Sequence, residues 1–425
     1  MKHLIDQIPD SEPLFKAAAS EFYSSMEPYL EEAALKQLLE PERIHIFKVN
    51  WLDRHGVIQT NTGYRVQHSS ALGPYKGGLR FDKSVNLDMM KFLAFEQTLK
   101  NALTHLPLGG AKGGSDFDPS DKTKAEINNF IHSFIDQSYS LFGPNKDVPA
   151  GDLGVGQEEI ALMAKYHQNL TGEFDGTFTG KPISMGGVLG RQEATGYGLI
   201  YILMHLLDDL ETDLTDKRVV VSGCGNVGLH AAEKVVEMGA ILVGISDKQG
   251  YLQDEEGLDI AYIKDKRLNE KLSLKEIDGK KFSEGSVFDV PCDIALPCAT
   301  QNELTSDHLR RLAQQGCMII AEGANRPLTQ EAVDILKELD VYYVPGKAAN
   351  AGGVAVSGLE MQQNAQKAVF SFEDVDLKLQ EIMALIYQEI KEASLVLDNP
   401  YHFVKGANYV AYQRILEVYN LQRLV

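Results

Sequence analysis

Three lysines and one aspartate sit where charged side chains can do chemistry. Lys76 lies in GPYKGGLRF, Lys100 in FEQTLKNALT and Lys112 in PLGGAKGGSDFDP. The glycine pairs flanking Lys112 leave its ammonium reachable and let a ligand come close. Lysines crowded together and shielded from water disfavour one another's charge, so at least one loses its proton more easily. Such an amine can serve as acid, base or Schiff-base nucleophile. Asp152, in VPAGDLGVG, is a carboxylate in an equally glycine-rich loop. Its competing reading is an N-cap or Asx turn, in which the carboxylate serves only the backbone.

A second constellation is Gly223-x-Gly225-x-x-Gly228. It follows an apolar run (RVVVS), opens an alanine-rich helix (LHAAEKVVEM) and precedes a second apolar run at 241–246. That setting is what a dinucleotide fingerprint requires. Gly223 allows the tight turn, Gly225 the approach of a pyrophosphate, and Gly228 close helix–strand packing. The helix N-terminus, with Asn226 and Val227, offers N–H groups and a positive dipole end to phosphate. A nicotinamide cofactor is the favoured reading over another nucleotide or a methyl donor. About twenty residues on, Ser246-Asp247-Lys248 stands where an adenosine ribose is read. Asp247 alone suggests a 2′-hydroxyl partner and NAD, whereas Ser246 and Lys248 suit the 2′-phosphate of NADP.

The elements that must position these groups fall into two kinds. In the first half, a helical stretch runs from a cap at Ser11 to about Leu39, where Pro41 interrupts it. Strand-like segments at 44–52 and 57–68 follow, joined by a turn at 53–56, then a helix over 87–103. A glycine-rich stretch at 108–114, a helix near 123–141 and a loop at 143–156 complete that half. From about 218, short β-rich runs at 218–222, 241–246, 292–296, 317–321 and 341–344 alternate with helices, which argues for a parallel sheet covered on both faces. Their ends carry Gly223, Ser246, Ala299-Thr300, Asn325 and Gly346. Ligands of open α/β sheets bind beyond the carboxyl ends of the strands. The segments 185–198 and 347–360 are candidate crossings between the halves.

Composition bounds the rest. The 425 residues suffice for two or three domains, and 44% apolar with 24% charged content is ordinary for a globular protein. The formal charge of −19 argues against nucleic-acid binding through the overall field. The four cysteines, at 224, 292, 298 and 317, lack zinc spacing, so no metal site and no disulfide framework are expected, and they suit a reducing compartment. No secretory signal is expected from MKHLIDQIPDSEP. The apolar run at 198–207 is too short for a bilayer and reads as a buried helix. A cytoplasmic protein without membrane partners is expected.

Together these residues resemble the glutamate dehydrogenase family of amino-acid dehydrogenases, in its small-subunit homohexameric branch. The marks are SSALGPYKGGLRF (69–81), KFLAFEQTLKNALTHLPLGGAKGGSDFDP (91–119), DVPAGDLGVGQEEI (147–160), RQEATGYG (191–198), SGCGNVG (222–228) and PGKAANAGGVAVSGLEMQQN (345–364). The resemblance implies an α/β chain with a substrate-binding and oligomerisation domain over 1–185, joined by about 395–425. A Rossmann-like dinucleotide-binding domain takes 186–394, and a C-terminal helix returns to the first. It implies Lys112 as catalytic lysine and Asp152 as proton-transferring aspartate. Lys100 and Gln97 would lie near the substrate α-carboxylate, and Lys76 and Ser357 at the distal carboxylate. Gly151 would make a backbone substrate contact. Arg191, Thr195, Asn226 and Asn350 would be cofactor contacts, along with the strand-end residues above. The reaction implied is reversible oxidative deamination of L-glutamate to 2-oxoglutarate and ammonium with NADP, or alternatively NAD. Closure about the two crossings would bring Ser357 to Lys76. Two departures stand out: 268–290 is short, which bears on NADP preference, and Gln192 replaces a usual proline.

Overall fold

The computed structural model describes residues 1–278 and 281–422. The expectations for 268–290 and 395–425 include positions outside that range and are followed only on the described residues. The chain divides into two compact units. Unit 1 is Met1–Leu189, Val354–Val375 and Asn408–Val425, and unit 2 is Gly190–Gly353 and Asp376–Ala407.

Unit 1 begins with helices α1 (Lys2–Asp6), α2 (Pro13–Met26) and α3 (Glu32–Leu39). The opening stretch is therefore not one helix: a 3-10 turn at Glu27–Tyr29 breaks it, with Pro28 inside. The cap also differs from expectation. Glu12, not Ser11, is the N-cap of α2 and makes no side-chain cap. Asp88 supplies it from a distance, Oδ2 accepting the Leu14 N–H at 3.0 Å and Oδ1 the Phe15 N–H at 2.9 Å.

Five strands follow: β1 (Arg43–Leu52), β2 (Ile58–Ser69), β3 (Tyr75–Phe81), β4 (Gly110–Ser115) and β5 (Asp147–Gly151). Their order is β1-β2-β4-β3-β5, with β1, β2 and β4 successively antiparallel and β4, β3 and β5 parallel. The hairpin is closed by Asp53, whose Oδ1 accepts the His55 and Val57 N–H groups. Sequence reading took the 108–114 stretch as glycine-rich chain and 143–156 as a loop, yet β4 and β5 lie there. Glycine has little strand preference of its own, and pairing with neighbours on both sides overrides it.

Helices α4 (Leu87–Leu103), α5 (Lys124–Ser138) and α6 (Gln157–Thr171) cover the sheet. Leu79 and Phe81 pack with Phe117, Phe130, Phe134 and Met163 on one side. Val66 meets Met90 and Ala94 of α4 on the other.

Unit 2 holds α7 (Ala194–Asp209), β6 (Arg218–Ser222), α8 (Asn226–Glu237), β7 (Ile241–Asp247), β8 (Gly250–Gln253), α9 (Ile260–Leu268), β9 (Lys281–Ser283) and β10 (Ile294–Pro297). Then come α10 (Ser306–Gln314), β11 (Ile319–Ala321), α11 (Gln330–Ile335), β12 (Tyr342–Val344) and α12 (Gly346–Ala349). The sheet order is β12-β11-β10-β6-β7-β8-β9, parallel from β12 to β7, with β8 and β9 antiparallel additions absent from the sequence reading. Strand order reverses between β6 and β10, the switch point of a doubly wound sheet. The apolar run at 198–207 lies within α7, where Leu199, Ile200, Ile202, Leu203, Leu206 and Leu207 are buried.

Helices α13 (Gly352–Gln366), α14 (Phe372–Val396) and α15 (Val404–Gln422) complete the chain. The unit boundaries at 353/354, 375/376 and 407/408 fall inside them. From residue 408, α15 belongs to unit 1: Asn408 donates to Ser25 Oγ at 2.8 Å, and the Tyr412 hydroxyl accepts the Glu31 N–H at 2.8 Å. No described helix is long and apolar enough to cross a membrane.

Replacing Asp88 by alanine removes the side-chain oxygens that accept those two α2 N–H groups. The expected cost is about 1–2 kcal/mol, seen as a lower urea midpoint with unchanged slope. An unmoved midpoint would show that water caps the helix equally well.

Candidate functional site

Strand alternation places Lys76, Gly78 and Arg80 on one face of β3. Gly113 of β4 pairs with Leu79, so Lys112 lies beside Gly78. On β5, Val148 pairs with Lys76 and Ala150 with Gly78, and Asp152 follows the strand end. The bare backbone at Gly78 is the floor of this cluster: a Cβ there would lie 2.9 Å from Asp152 Cβ and 3.3 Å from Lys112 Nζ.

Lys112 Nζ is 3.1 Å from Asp152 Oδ1, and Arg80 Nε is 2.6 Å from Asp152 Oδ2. The Asp152 carboxylate is thus spent on two cations rather than on a cap. The first turn of α6 is served instead by Glu159, whose Oε2 accepts the Gly156 N–H at 2.8 Å. Burial pushes the Asp152 pKa up, but Lys112 and Arg80 outweigh it and hold it at about 2. Burial lowers the Lys112 pKa below its ordinary value; Asp152 opposes that, and Arg80 and Arg65 add to it.

Beneath the floor lies an ion pair the sequence reading missed. Arg65 and Asp147 are both wholly buried, with Arg65 Nε 2.9 Å from Asp147 Oδ2 and Gln67 Nε2 at the same distance from that oxygen. Arg65 Nη1 also donates to the Gly77 carbonyl at 3.2 Å. Its stem passes Gly113, where a Cβ would sit 2.9 Å from Arg65 Cδ. Arg65 lies on β2 and Asp147 on β5, so the pair spans the breadth of β4 and β3. The glycines of β4 make that crossing possible.

The remaining substrate candidates lie on α4 and α13. Gln97 Nε2 donates to Asn101 Oδ1 at 2.6 Å, and Asn101 Nδ2 donates to the carbonyls of Lys76 and Gly109. Buried Asn101, also unforeseen, ties α4 to β3, with Lys100 one residue earlier on the half-buried side of the helix. Its signal was the i, i+4 spacing from Gln97. Lys76 is buried, only 1% exposed. Ser357 is buried on α13, and one turn on Glu360 forms a buried ion pair with Lys181 at 2.7 Å and accepts the Gly180 N–H at 2.8 Å. Gly151, pairing with Leu79, keeps its backbone half exposed.

In unit 2 the fingerprint residues converge at the carboxyl ends of β6 and β10. Gly223 has φ of +82°, and a Cβ on it would lie 2.8 Å from Ala299 Cα. At Gly228 a Cβ would strike the Gly223 carbonyl at 1.8 Å, whereas Gly225 faces open space. Gly225 and Asn226 are exposed and Val227 half-buried at the start of α8, whose N-terminus has no side-chain cap. Asn226 Nδ2 donates to the Gln192 carbonyl at 2.6 Å, so the turn that departs at Gln192 is held from α8. Thr195 Oγ1 and Arg191 Nη1 lie 2.5 and 3.6 Å from a Cβ built on Gly353.

Asn350 donates to Gly323 O, Ala324 O and Asn325 Oδ1, while its own buried Oδ1 has no partner. These features fit a dinucleotide: bare N–H groups at α8 for pyrophosphate, and a buried acceptor for an amide donor. Glu303, another residue not foreseen, accepts the N–H groups of Ala299 and Thr300 at 3.0 and 3.3 Å.

Asp247 does not stand open to a ribose. Its Oδ1 accepts the Gln249 N–H at 2.8 Å, its Oδ2 the Leu274 N–H at 2.9 Å, and Arg267 Nη1 lies 3.8 Å away. Ser246 is half-buried, with its Oγ accepting the Gly223 N–H at 3.2 Å, and Lys248 is exposed. An open groove of about 1300 Å³ elsewhere on unit 1, beside Ile127, Leu162 and Phe174, touches none of these residues. Among the described residues no group of three His, Cys, Asp or Glu side chains could hold a metal ion, and all four cysteines are free and buried.

The chain is similar to known amino-acid dehydrogenases. A family profile described as Glutamate/Leucine/Phenylalanine/Valine dehydrogenase matches residues 186–423, and one described as the Glu/Leu/Phe/Val dehydrogenase dimerisation domain matches 41–169. The chain is 46% identical to a glutamate dehydrogenase of Bacteroides thetaiotaomicron, over 98% of this chain and 97% of that one. It is 45% identical to an NADP-specific glutamate dehydrogenase of Psychrobacter, over 93% and 90%. Among solved structures, glutamate dehydrogenase 2 of Plasmodium falciparum superposes with a TM-score of 0.95 at 42% identity, covering 100% of this chain and 96% of that one.

Gly78→Ala puts a methyl group against Asp152 and Lys112. It is expected to keep its circular dichroism spectrum and dinucleotide affinity while turnover falls about 100-fold. Full turnover would show that the floor tolerates a side chain.

Proposed function

The chain belongs to the Glutamate/Leucine/Phenylalanine/Valine dehydrogenase family, and we propose that it interconverts L-glutamate and 2-oxoglutarate plus ammonium, with NADP as hydride carrier and NAD as the alternative. The balanced step is glutamate, NADP⁺ and water giving 2-oxoglutarate, ammonium, NADPH and a proton. The observation that carries this reading is Lys112 in contact with Asp152 above a bare floor, on the sheet face that also holds buried Lys76.

When bound, the nicotinamide supplies the two-electron acceptor for the substrate's Cα hydrogen. Gly223, Gly225, Asn226, Val227 and Gly228 would hold the pyrophosphate and Asn350 the carboxamide. The rest falls to the chain's own side chains. Lys76 with Ser357, and Lys100 with Gln97, hold the two substrate carboxylates and so fix the orientation of Cα. Asp152, kept ionised by its cations, takes a proton from the substrate ammonium, since only the neutral amine can push electrons toward an imine. Water then adds to the imine carbon while Lys112, as neutral amine, accepts its proton. The charged lysine stabilises the oxygen, the proton held by Asp152 passes to the nitrogen, and the C–N bond breaks as the hydroxyl loses its proton, giving 2-oxoglutarate and ammonia.

Lys112→Ala is expected to bind NADP normally yet show no absorbance change near 340 nm with glutamate, a loss of at least about 1000-fold. Turnover close to wild type would end the assignment. Because burial and Arg80 lower the Lys112 pKa, glutamate oxidation should rise with pH and level off below 10.5, the ordinary lysine value. A rise that continues past that value would place the titrating group elsewhere.

A monocarboxylic amino acid forfeits the ion pair with buried Lys76, so glutamate should exceed leucine in kcat/KM by about 1000-fold or more. Support for NADP comes from shielded Asp247 beside exposed Lys248, which leaves a cation rather than a carboxylate for the ribose end. Lys248→Glu is expected to raise the KM for NADPH about tenfold and leave that for NADH unchanged.

Assembly into a homohexamer in the cytoplasm completes the reading. The edge strand β1 and its partner expose Ile44, Ile46, Leu52 and Ile58, at 41%, 55%, 49% and 68%. An apolar edge of this kind pairs with another chain. Ile46→Asp should lower the mass measured by light scattering; an unchanged mass would place the subunit contact elsewhere.

A further inference from the structure

Arg80 was not among the expected site residues, yet it lies closer to Asp152 than Lys112 does. It stands on β3 four residues after Lys76, on the same face by alternation, and is paired in register with Gly114 of β4. Its Nε lies 2.6 Å from Asp152 Oδ2, while Lys112 Nζ lies 3.1 Å from Oδ1. The two cations therefore hold different oxygens of one carboxylate. Both partners of the Arg80 contact keep about a fifth of their side-chain surface exposed, 21% for Arg80 and 19% for Asp152, so the pair borders the site. Arg80 Nη1 also reaches Met89 Sδ on α4, at 3.8 Å, which pins the far end of the guanidinium.

The proposed chemistry needs two conditions at once: Lys112 neutral and Asp152 ionised. A lysine and an aspartate alone in a buried site do not provide them. When such a lysine gives up its proton, the carboxylate loses its counter-charge, and burial drives it to take a proton in turn. A guanidinium does not titrate in this range, so its charge stays beside the carboxylate whatever Lys112 does. It also fixes direction. With Oδ2 held by Arg80, rotation of the carboxylate is blocked, and Oδ1 is the oxygen left to change partners.

We propose that Arg80 is the positioning residue of the proton-transfer step, anchoring Oδ2 of Asp152 so that Oδ1 alone exchanges between Lys112 and the substrate amino group. The proton moves from the substrate nitrogen to Oδ1; Arg80 forms and breaks no bond. The inference rests on the glutamate dehydrogenase reading.

The test is steady-state oxidation of glutamate with NADP by the full chain, from pH 6 to 10, for wild type, Arg80→Gln and Arg80→Lys. For Arg80→Gln the expected result is a kcat lower by about 100-fold with KM for glutamate within about threefold of wild type. Its acidic limb, set by proton loss from Lys112, should move to higher pH by about one unit, because the neighbouring cation that lowers the lysine pKa is gone. Arg80→Lys keeps a charge and should recover about tenfold of that loss, with the limb returned toward wild type.

A purely structural role would lower thermal stability and active fraction without moving the limb, and that outcome overturns the proposal. If Arg80→Gln does not fold, Arg80→Lys decides: kcat lowered about tenfold with KM unchanged upholds the anchor, and wild-type kcat overturns it. Wild-type protein inert toward glutamate would overturn the functional reading and this inference with it. An active wild type beside an Arg80→Gln variant of unchanged kcat and pH profile would overturn this inference alone.

Discussion

Cations buried in a sheet must be matched by carboxylates, and unit 1 is arranged around that requirement. Removing a charge from water costs several kcal/mol, and only a close, well-aligned counter-charge with its own hydrogen bonds offsets it. Arg65 has Asp147, with Gln67 on the same carboxylate and the Gly77 carbonyl on the guanidinium. Lys112 and Arg80 share Asp152. The first pair is balanced and sealed beneath the floor. The second cluster carries one more cation than carboxylate, and it borders the space where an anionic substrate would complete it. A chain with a formal charge of −19 thus builds its positive site locally, from a few side chains held out of water.

The same requirement accounts for the glycines. For Arg65 to reach from β2 to β5, β4 must have no side chain in the way at Gly113. For Lys112 and Asp152 to meet, β3 must be bare at Gly78. Glycine weakens a strand taken alone, so β4 persists because β2 and β3 pair with it from both sides. Local strand preference is given up where the ligand must come close, and pairing with neighbouring strands restores it.

Unit 2 solves a different problem with a different device. Its crevice keeps hydrogen-bonding capacity unspent. The start of α8 lacks a side-chain cap, and Asn350 Oδ1 is buried without a donor. Positive and acceptor character there comes from backbone and amide groups, as suits a ligand carrying both phosphates and an amide. Asp247 shows how small the margin is between such a role and a structural one. Two N–H groups and Arg267 draw its carboxylate inward, and what remains outward is Lys248.

Much of this was legible in residue order. The alternation after residue 218 identified the parallel α/β unit, and the spacing of Gly223, Gly225 and Gly228 and the glycine-flanked lysines marked a candidate dinucleotide turn and a candidate cationic site, because those patterns are local. The helix at 87–103 and the hairpin before it followed from periodicity and a turn. What residue order did not reveal was contact across distance. Nothing near Pro13 announces that Asp88 caps α2, nothing near Arg65 points to Asp147, and a glycine-rich stretch does not read as a strand until its neighbours are known. The choice of Asp152 between capping a helix and meeting Lys112 was likewise open, since one carboxylate suits either use. Packing decided it: Glu159 took the helix end, and the sheet brought Arg80 and Lys112 to opposite oxygens of the aspartate.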